Sequence, residues 1–166
     1  MRIGVAIDVP APFGPQLQAA RAGFGDPLAP YIPPHITLVG PTEVPDLEPV
    51  VDHLRAVARS HAPFTVHLRG TGTFRPVSAV VFVQVAVGIA ECEQLERAVR
   101  AGPLDQITRF NYHPHVTVAH DLPDDALDRA FDELADYRAG FLVSSMHVYA
   151  LGDDEVWRPV RDIPLG

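Results

Sequence analysis

Apolar and polar positions along the chain follow two rhythms, and the order in which they alternate occurs twice. Residues 2–8 set Ile3, Val5 and Ile7 against smaller neighbours, the period-two pattern of a strand. A Pro-rich, weakly helical stretch follows through Phe13, Leu17 and Phe24, and then an apolar strand over 35–40 inside PPHITLVGP, closed by a Pro-bounded turn. Over 46–60 the rhythm becomes helical, with Leu47, Val50, Val51, Leu54, Val57 and Ala58 on one side behind Asp46 as N-cap. The segment FTVHLRG, with Phe64, Val66 and Leu68 facing one way, closes this first pass.

The second pass repeats the order. Residues 78–87 read as an apolar strand. Residues 89–101 read as a helix with Ile89, Cys92, Leu95 and Val99 inward, stopped by Gly102-Pro103. A strand over 115–119 lies inside YHPHVTVAH, a helix over 124–136 carries Leu127, Ala130, Phe131 and Leu134, and a strand over 141–150 closes the pass. Strand, helix, strand, helix, strand written twice predicts an α+β fold built as one domain, 1–166, from pseudo-repeat halves of about 1–76 and 77–166. The expected architecture is bilobal: two lobes of largely antiparallel strands related by a pseudo-two-fold axis, helices on the outer faces, and a central cleft.

The third element of each pass holds the same polar pair. His35-x-Thr37 and His115-x-Thr117 each follow a proline, and their offset is 115 − 35 = 80 residues, close to half the 166-residue chain. On a strand, residues i and i+2 share a face. His35 and Thr37 therefore look one way while Ile36 and Leu38 enter the core, and His115 and Thr117 do the same above Val116 and Val118. A duplicated unit would bring both pairs to one cleft. Two imidazoles facing one phosphate supply a general base for the nucleophile and a general acid for the leaving oxygen, because their ordinary pKa of about 6.5 suits either role. The threonine hydroxyls can bind the remaining phosphate oxygens.

Composition narrows the chemistry. The net charge of −8 argues against long DNA or RNA bound through many phosphate contacts, and leaves room for a short anionic ligand in a local Arg-lined pocket. All 13 basic residues are Arg and none is Lys, which removes Walker-type phosphate loops, lysine Schiff bases and lysyl-nucleotide ligases. No Gly-x-Ser-x-Gly elbow occurs, and GTGTF at 70–74 lacks the third glycine of a dinucleotide fingerprint. Cys92 is the single cysteine, which fits a reducing, cytoplasmic setting. The longest apolar run, AVVFVQV, is too short for a membrane span, and MRIGVAIDVP does not read as a signal peptide.

PPHITLVGP and YHPHVTVAH resemble the paired His-x-Thr signatures of the two-histidine phosphoesterase superfamily, and in particular its RNA 2′,3′-cyclic phosphodiesterases, also called 2′-5′ RNA ligases. The likeness extends to the opening RIGVAIDVP, the TGTF turn before VVFVQV, and the ending VYALGDDEVWRPV. It implies a bilobal α+β fold and chemistry on 2′,3′-cyclic or 2′-5′ phosphodiesters of a nucleotide or short RNA, without cofactor or metal. Carried over by motif position, it makes His35 the proton donor and His115 the acceptor, with Thr37 and Thr117 on the phosphate. His120 stands where that branch commonly has an arginine.

Other side chains are candidates of lower specificity. Tyr112 and Phe74 could stack a base or pack in the core. Arg75, Arg109 and Arg158 stand near motif strands or turns where a phosphate could reach them, and His120 could line the cleft. His113, His115 and His120 raise a metal site as a competing reading, with no acidic residue or cysteine nearby in sequence as a third kind of ligand. His53, His61 and His67 read as solvated surface. The functional expectation is a phosphodiesterase acting as a monomer; the alternative is a non-catalytic module that binds nucleotide or RNA ends in the same cleft.

Overall fold

The computed structural model describes residues 1–105, 108 and 110–166. Eight strands form one sheet: β1 (Arg2–Asp8), β2 (His35–Glu43), β3 (Phe64–Thr73), β4 (Val80–Val87), β5 (His115–His120), β6 (Arg138–Val143), β7 (Ser145–Leu151) and β8 (Trp157–Pro164). Four helices accompany them: α1 (Phe13–Gly23), α2 (Leu47–Arg59), α3 (Ile89–Val99) and α4 (Asp124–Glu133). The strand order is β6-β3-β4-β5-β2-β1-β7-β8, and the pairings are antiparallel. This is an α+β fold with a curled, half-barrel sheet.

The centre of the sheet is its weakest seam. Strands β2 and β5 share one pair, Ile36 opposite Val116, whereas every other neighbouring pair holds a ladder of several residues. Four strands stand on each side of that seam, and the two lobes splay away from it. The order is symmetric about the seam: β2 answers β5, β1 answers β4, and β7 answers β3.

The lobes do not coincide with the two passes read along the sequence. One lobe, β3 to β6, is the continuous segment 64–143, and the other joins the first two strands to the last two. The third strand of the first pass, β3, thus pairs with β4 of the second pass, and β7 returns to pair with β1. A single residue, Ser144, connects edge strand β6 to β7 in the opposite lobe. So short a link is possible only because the sheet curls until its two sides meet at that end.

The helices cover the convex face. α1 and α4 pack on β5, α3 packs on β2, and α2 lies against β8. Between helices and sheet runs one hydrophobic core, from Ile3, Val5 and Ile7 through Ile36, Leu38, Val116 and Val118 to Leu54, Leu95 and Leu127. Helix α2 shows how local sequence sets an element: Asp46 is extended and its carboxylate accepts the Glu48 N–H at 3.2 Å, while Val50, Val51, Leu54 and Ala58 are buried. Ile89, expected inward, is 41% exposed, because it occupies the first helical position where the stripe has not yet turned to the core. The stretch 141–150, expected as one strand, is broken at Ser144 into the ends of β6 and β7. No helix among the described residues is long and apolar enough to cross a membrane.

Burying Ile36 completely at the seam couples stability to the position of both motif strands. Ile36→Ala is expected to lower unfolding free energy by about 2–5 kcal/mol, and Asp46→Ala by about 1 kcal/mol, in urea titrations followed by circular dichroism.

Candidate active site

The seam's register assembles the motif residues. With Ile36 opposite Val116 in antiparallel sense, His35 falls beside Thr117 and Thr37 beside His115, all four on the concave face. The two histidines are then diagonal partners, a relation that sets the residues roughly 7–8 Å apart in a regular pair, with their Cβ atoms somewhat closer. Both motif strands carry the same burial pattern, half-buried His and Thr alternating with buried residues and then two buried residues in a row: Leu38-Val39 in β2 and Val118-Ala119 in β5. The doubled core residue marks a bulge, since the ladders skip from Thr37 to Val39 and from Thr117 to Ala119.

Each imidazole is held in the same way. His35 Nδ1 lies 2.7 Å from the carbonyl of Pro33, and His115 Nδ1 lies 2.6 Å from the carbonyl of His113. A carbonyl only accepts, so Nδ1 carries the proton in both rings and Nε2 is left to face the cleft. Tyr112 braces the two strands: its hydroxyl donates to the Thr37 carbonyl at 2.9 Å, across the gap that the single-pair seam leaves open. Burial raises the Tyr112 phenol well above its ordinary pKa, so it stays a donor.

The surroundings of the two rings differ. His35 lies against Trp157, centroids 4.4 Å apart and planes tilted by 31°, and Trp157 packs in turn on Tyr149. His115 is met edge-on by Phe74, at 5.0 Å and 89°, and at a tilt of 56° by Phe82 at 5.1 Å. Phe82 can lie there because its cross-strand neighbour is Gly72; any Cβ at that position would come within 2.6 Å of the Phe82 ring. Burial pushes the His35 pKa down to about 4, against a smaller upward pull from the Pro33 carbonyl, with the charges of Arg21 and His115 adding to the fall. Burial lowers His115 as well, opposed by the His113 carbonyl. In the ligand-free protein both rings are therefore neutral near pH 7.

The other sequence candidates are distributed unevenly. Phe74, Tyr112 and His113 line a cavity of about 720 Å³ with Thr37 and His115. Arg75 is turned away from it, bound to Asp128 at 2.8 Å and Asp124 at 3.8 Å over the start of α4. Arg158 is paired with Asp154 at 2.7 Å on an exposed turn, and Arg109 lies outside the described residues. His120 reaches the concave side through the bulge, where strict alternation from His115 would have placed it on the other; it is exposed and 3.4 Å from Asp121. Among the described residues no group of three His, Cys, Asp or Glu could hold a metal ion. His67 is exposed as expected. His53 and His61 are instead half-buried, with ring nitrogens 3.0 Å from the Val99 carbonyl and 2.9 Å from the Val57 carbonyl.

Several cleft residues escaped the sequence reading. Trp157 stands on β8, a strand whose apolar positions show no clear period; the ending VYALGDDEVWRPV carried it in the family likeness, without a role for the indole. Asp8, opposite His35 on β1, accepts the Tyr149 hydroxyl at 2.6 Å and lies 3.7 Å from His147, which also faces Asp162 at 3.4 Å. Glu96 and Arg100 line the cavity too, although an i, i+4 pair on a helix reads as surface.

Comparison with known proteins places the chain in a family. The family model of the 2′-5′ RNA ligase superfamily matches residues 9–155. A Bacillus cytotoxicus protein whose name assigns it provisionally to the phosphoesterases is 30% identical over 172 residues, covering 100% of this chain and 98% of its own. A similarly named Bacillus mycoides protein is 32% identical over 126 residues, 75% of this chain and 72% of its own. In fold, the chain is similar to E. coli LigT crystallised with NADP+ (TM-score 0.71, 22% identity, 99% of this chain and 96% of that one). It is also similar to TT0787 of Thermus thermophilus (TM-score 0.62, 22% identity, 99% and 98%). With the family model spanning most of its length and a relative matched from end to end, the chain belongs to the 2′-5′ RNA ligase superfamily.

Proposed function

We propose that this protein is a phosphodiesterase that opens 2′,3′-cyclic, or cleaves 2′-5′, phosphodiesters of nucleotides or RNA ends, with His35 and His115 as an acid–base pair. The observation that carries the reading is the matched orientation of the two rings. Each spends Nδ1–H on the carbonyl two residues back, and each keeps Nε2 for the cleft. With both Nε2 atoms left free, one ring can take a proton and the other give one, which an acid–base pair requires.

In the proposed reaction the phosphate lies between the rings, with Thr37 and Thr117 hydroxyls on its non-bridging oxygens. His115 Nε2 takes a proton from water as the water oxygen attacks phosphorus in line. His35, carrying a proton on Nε2, delivers it to the ribose oxygen as the P–O bond breaks. The products are a phosphomonoester and a free hydroxyl, and proton exchange with solvent resets the pair. With a ribose hydroxyl in place of water as the nucleophile on a 2′,3′-cyclic phosphate, the same two groups would join two ends, one ring oxygen leaving as a free hydroxyl. No step passes through a metal ion. The donor and acceptor roles follow the family pattern; burial disfavours the His35 imidazolium in the free protein, so the negative charge of the bound phosphate is what would favour it during the reaction.

His35→Ala and His115→Ala are each expected to lower kcat/KM on a 2′,3′-cyclic nucleotide by about 10²–10⁴-fold with unchanged circular dichroism. The double variant should lose little more, since the two act as a unit. Near-native turnover by either single variant would break the pair. Stoichiometric binding of nucleotide without turnover in the wild type would establish the binding-module alternative.

The rate should be bell-shaped in pH, because one ring must be neutral and one charged. The pKa values of both rings are depressed in the free protein, so protonated enzyme is lost already below the ordinary histidine value, and the alkaline limb of kcat/KM should lie on the acid side of about 6.5. A bound phosphate anion favours the imidazolium and raises these values, so the alkaline limb of kcat should stand at higher pH than that of kcat/KM. EDTA should move neither limb.

Roles are separable by leaving group. On a nitrophenyl phosphodiester, whose leaving oxygen needs little protonation, His35→Ala should recover a large part of its lost rate and His115→Ala should not. Recovery by His115→Ala alone would reverse the assignment.

A further inference from the structure

Among the described residues the buried polar and charged side chains are Arg21, Asp26 and Glu96. Arg21 and Asp26 form a closed pair: Nε to Oδ2 at 2.6 Å, with Asp26 Oδ1 also accepting the Leu28 N–H at 2.9 Å. Glu96 is different. It touches Arg100, one turn on in α3, through Oε1 and Nε only. Among the described residues neither Glu96 Oε2 nor the two Nη groups of Arg100 make a hydrogen bond, yet the side chains are only 12% and 20% exposed. Both residues line the cavity of about 720 Å³, together with Phe74, Tyr112, Thr37 and His115. Taking an ion pair partly out of water is costly, and an exposed i, i+4 pair returns little. A half-buried pair with unused donors and an unused acceptor, set in an aromatic-walled cavity of ligand size, is built like a recognition site.

We propose that this cavity is a nucleobase subsite selective for guanine, with Arg100 and Glu96 reading the edge of the base. Arg100 offers adjacent donors and Glu96, beside it, an acceptor. Guanine presents the complement in the same order: acceptors N7 and O6, then the N1–H and N2–H donors. Adenine presents N7, then the N6 donor, then the N1 acceptor, which sets a donor against the guanidinium. The Phe74 and Tyr112 rings supply apolar walls for the base, and His115, in the same lining, places the attached ribose phosphate at the acid–base pair. The location of that phosphate rests on the phosphodiesterase reading; recognition of the base does not.

The test measures binding and turnover separately on the whole protein. Titration calorimetry with 3′-GMP, 3′-AMP, 3′-CMP and 3′-UMP should show 3′-GMP bound at least about tenfold tighter than the others, the scale of one good bidentate base contact. Glu96→Gln and Arg100→Gln should each erase that preference while leaving 3′-AMP affinity within about twofold. The same order should appear in kcat/KM for the 2′,3′-cyclic nucleotides. Equal affinity for the four nucleotides, or a guanine preference surviving in both variants, overturns the subsite. Selective 3′-GMP binding without cyclic nucleotide turnover keeps the subsite and removes the reaction; unselective turnover does the opposite.

Discussion

One backbone pair, Ile36 opposite Val116, sets the positions of everything in the cleft. A longer ladder between β2 and β5 would draw the strands flat against each other and leave no room for a phosphate between the side chains. No pair at all would let the two lobes separate and the histidines lose their registration. A single fully buried pair holds the strands at one point and lets them diverge on either side. The Tyr112 hydroxyl then satisfies the Thr37 carbonyl that the missing ladder would have occupied.

The two rings are alike in how they are oriented and unlike in what covers them. Orientation comes from the chain itself, through a carbonyl two residues back, and so is copied wherever the motif is copied. Cover comes from tertiary structure: an indole from β8 on one side, and phenyl rings from the β3–β4 hairpin on the other. In the proposed reaction this difference distinguishes groups that the sequence writes identically.

Much of this was legible from patterning. The motif strands, the Asp46 cap, the stripes of α2 and α3 and the convergence expected of His35, Thr37, His115 and Thr117 all follow from periods of two and 3.6 and from a repeated word. What stayed hidden has physical causes. A bulge adds one residue to a strand without any compositional mark, so the side of His120 could not be counted off by alternation. The exchange of β3 and β7 between lobes is decided by long-range pairing, which local propensity does not carry. Arg75 stood in the right neighbourhood but found Asp124 and Asp128 first, while Arg100 looked like an ordinary surface residue until Asn111 and Tyr112, ahead of β5, walled the same cavity.

The lobe exchange also orders events on the ribosome. The lobe spanning 64–143 is contiguous, so its four strands can pair as soon as they emerge. The other lobe cannot finish: β1 needs β7 as its second neighbour, and the whole of the 64–143 segment is made between them. Until then RIGVAID presents an apolar strand with one open edge, a template for pairing with other nascent chains. The need for protection therefore falls on β1 and lasts until β7 has emerged.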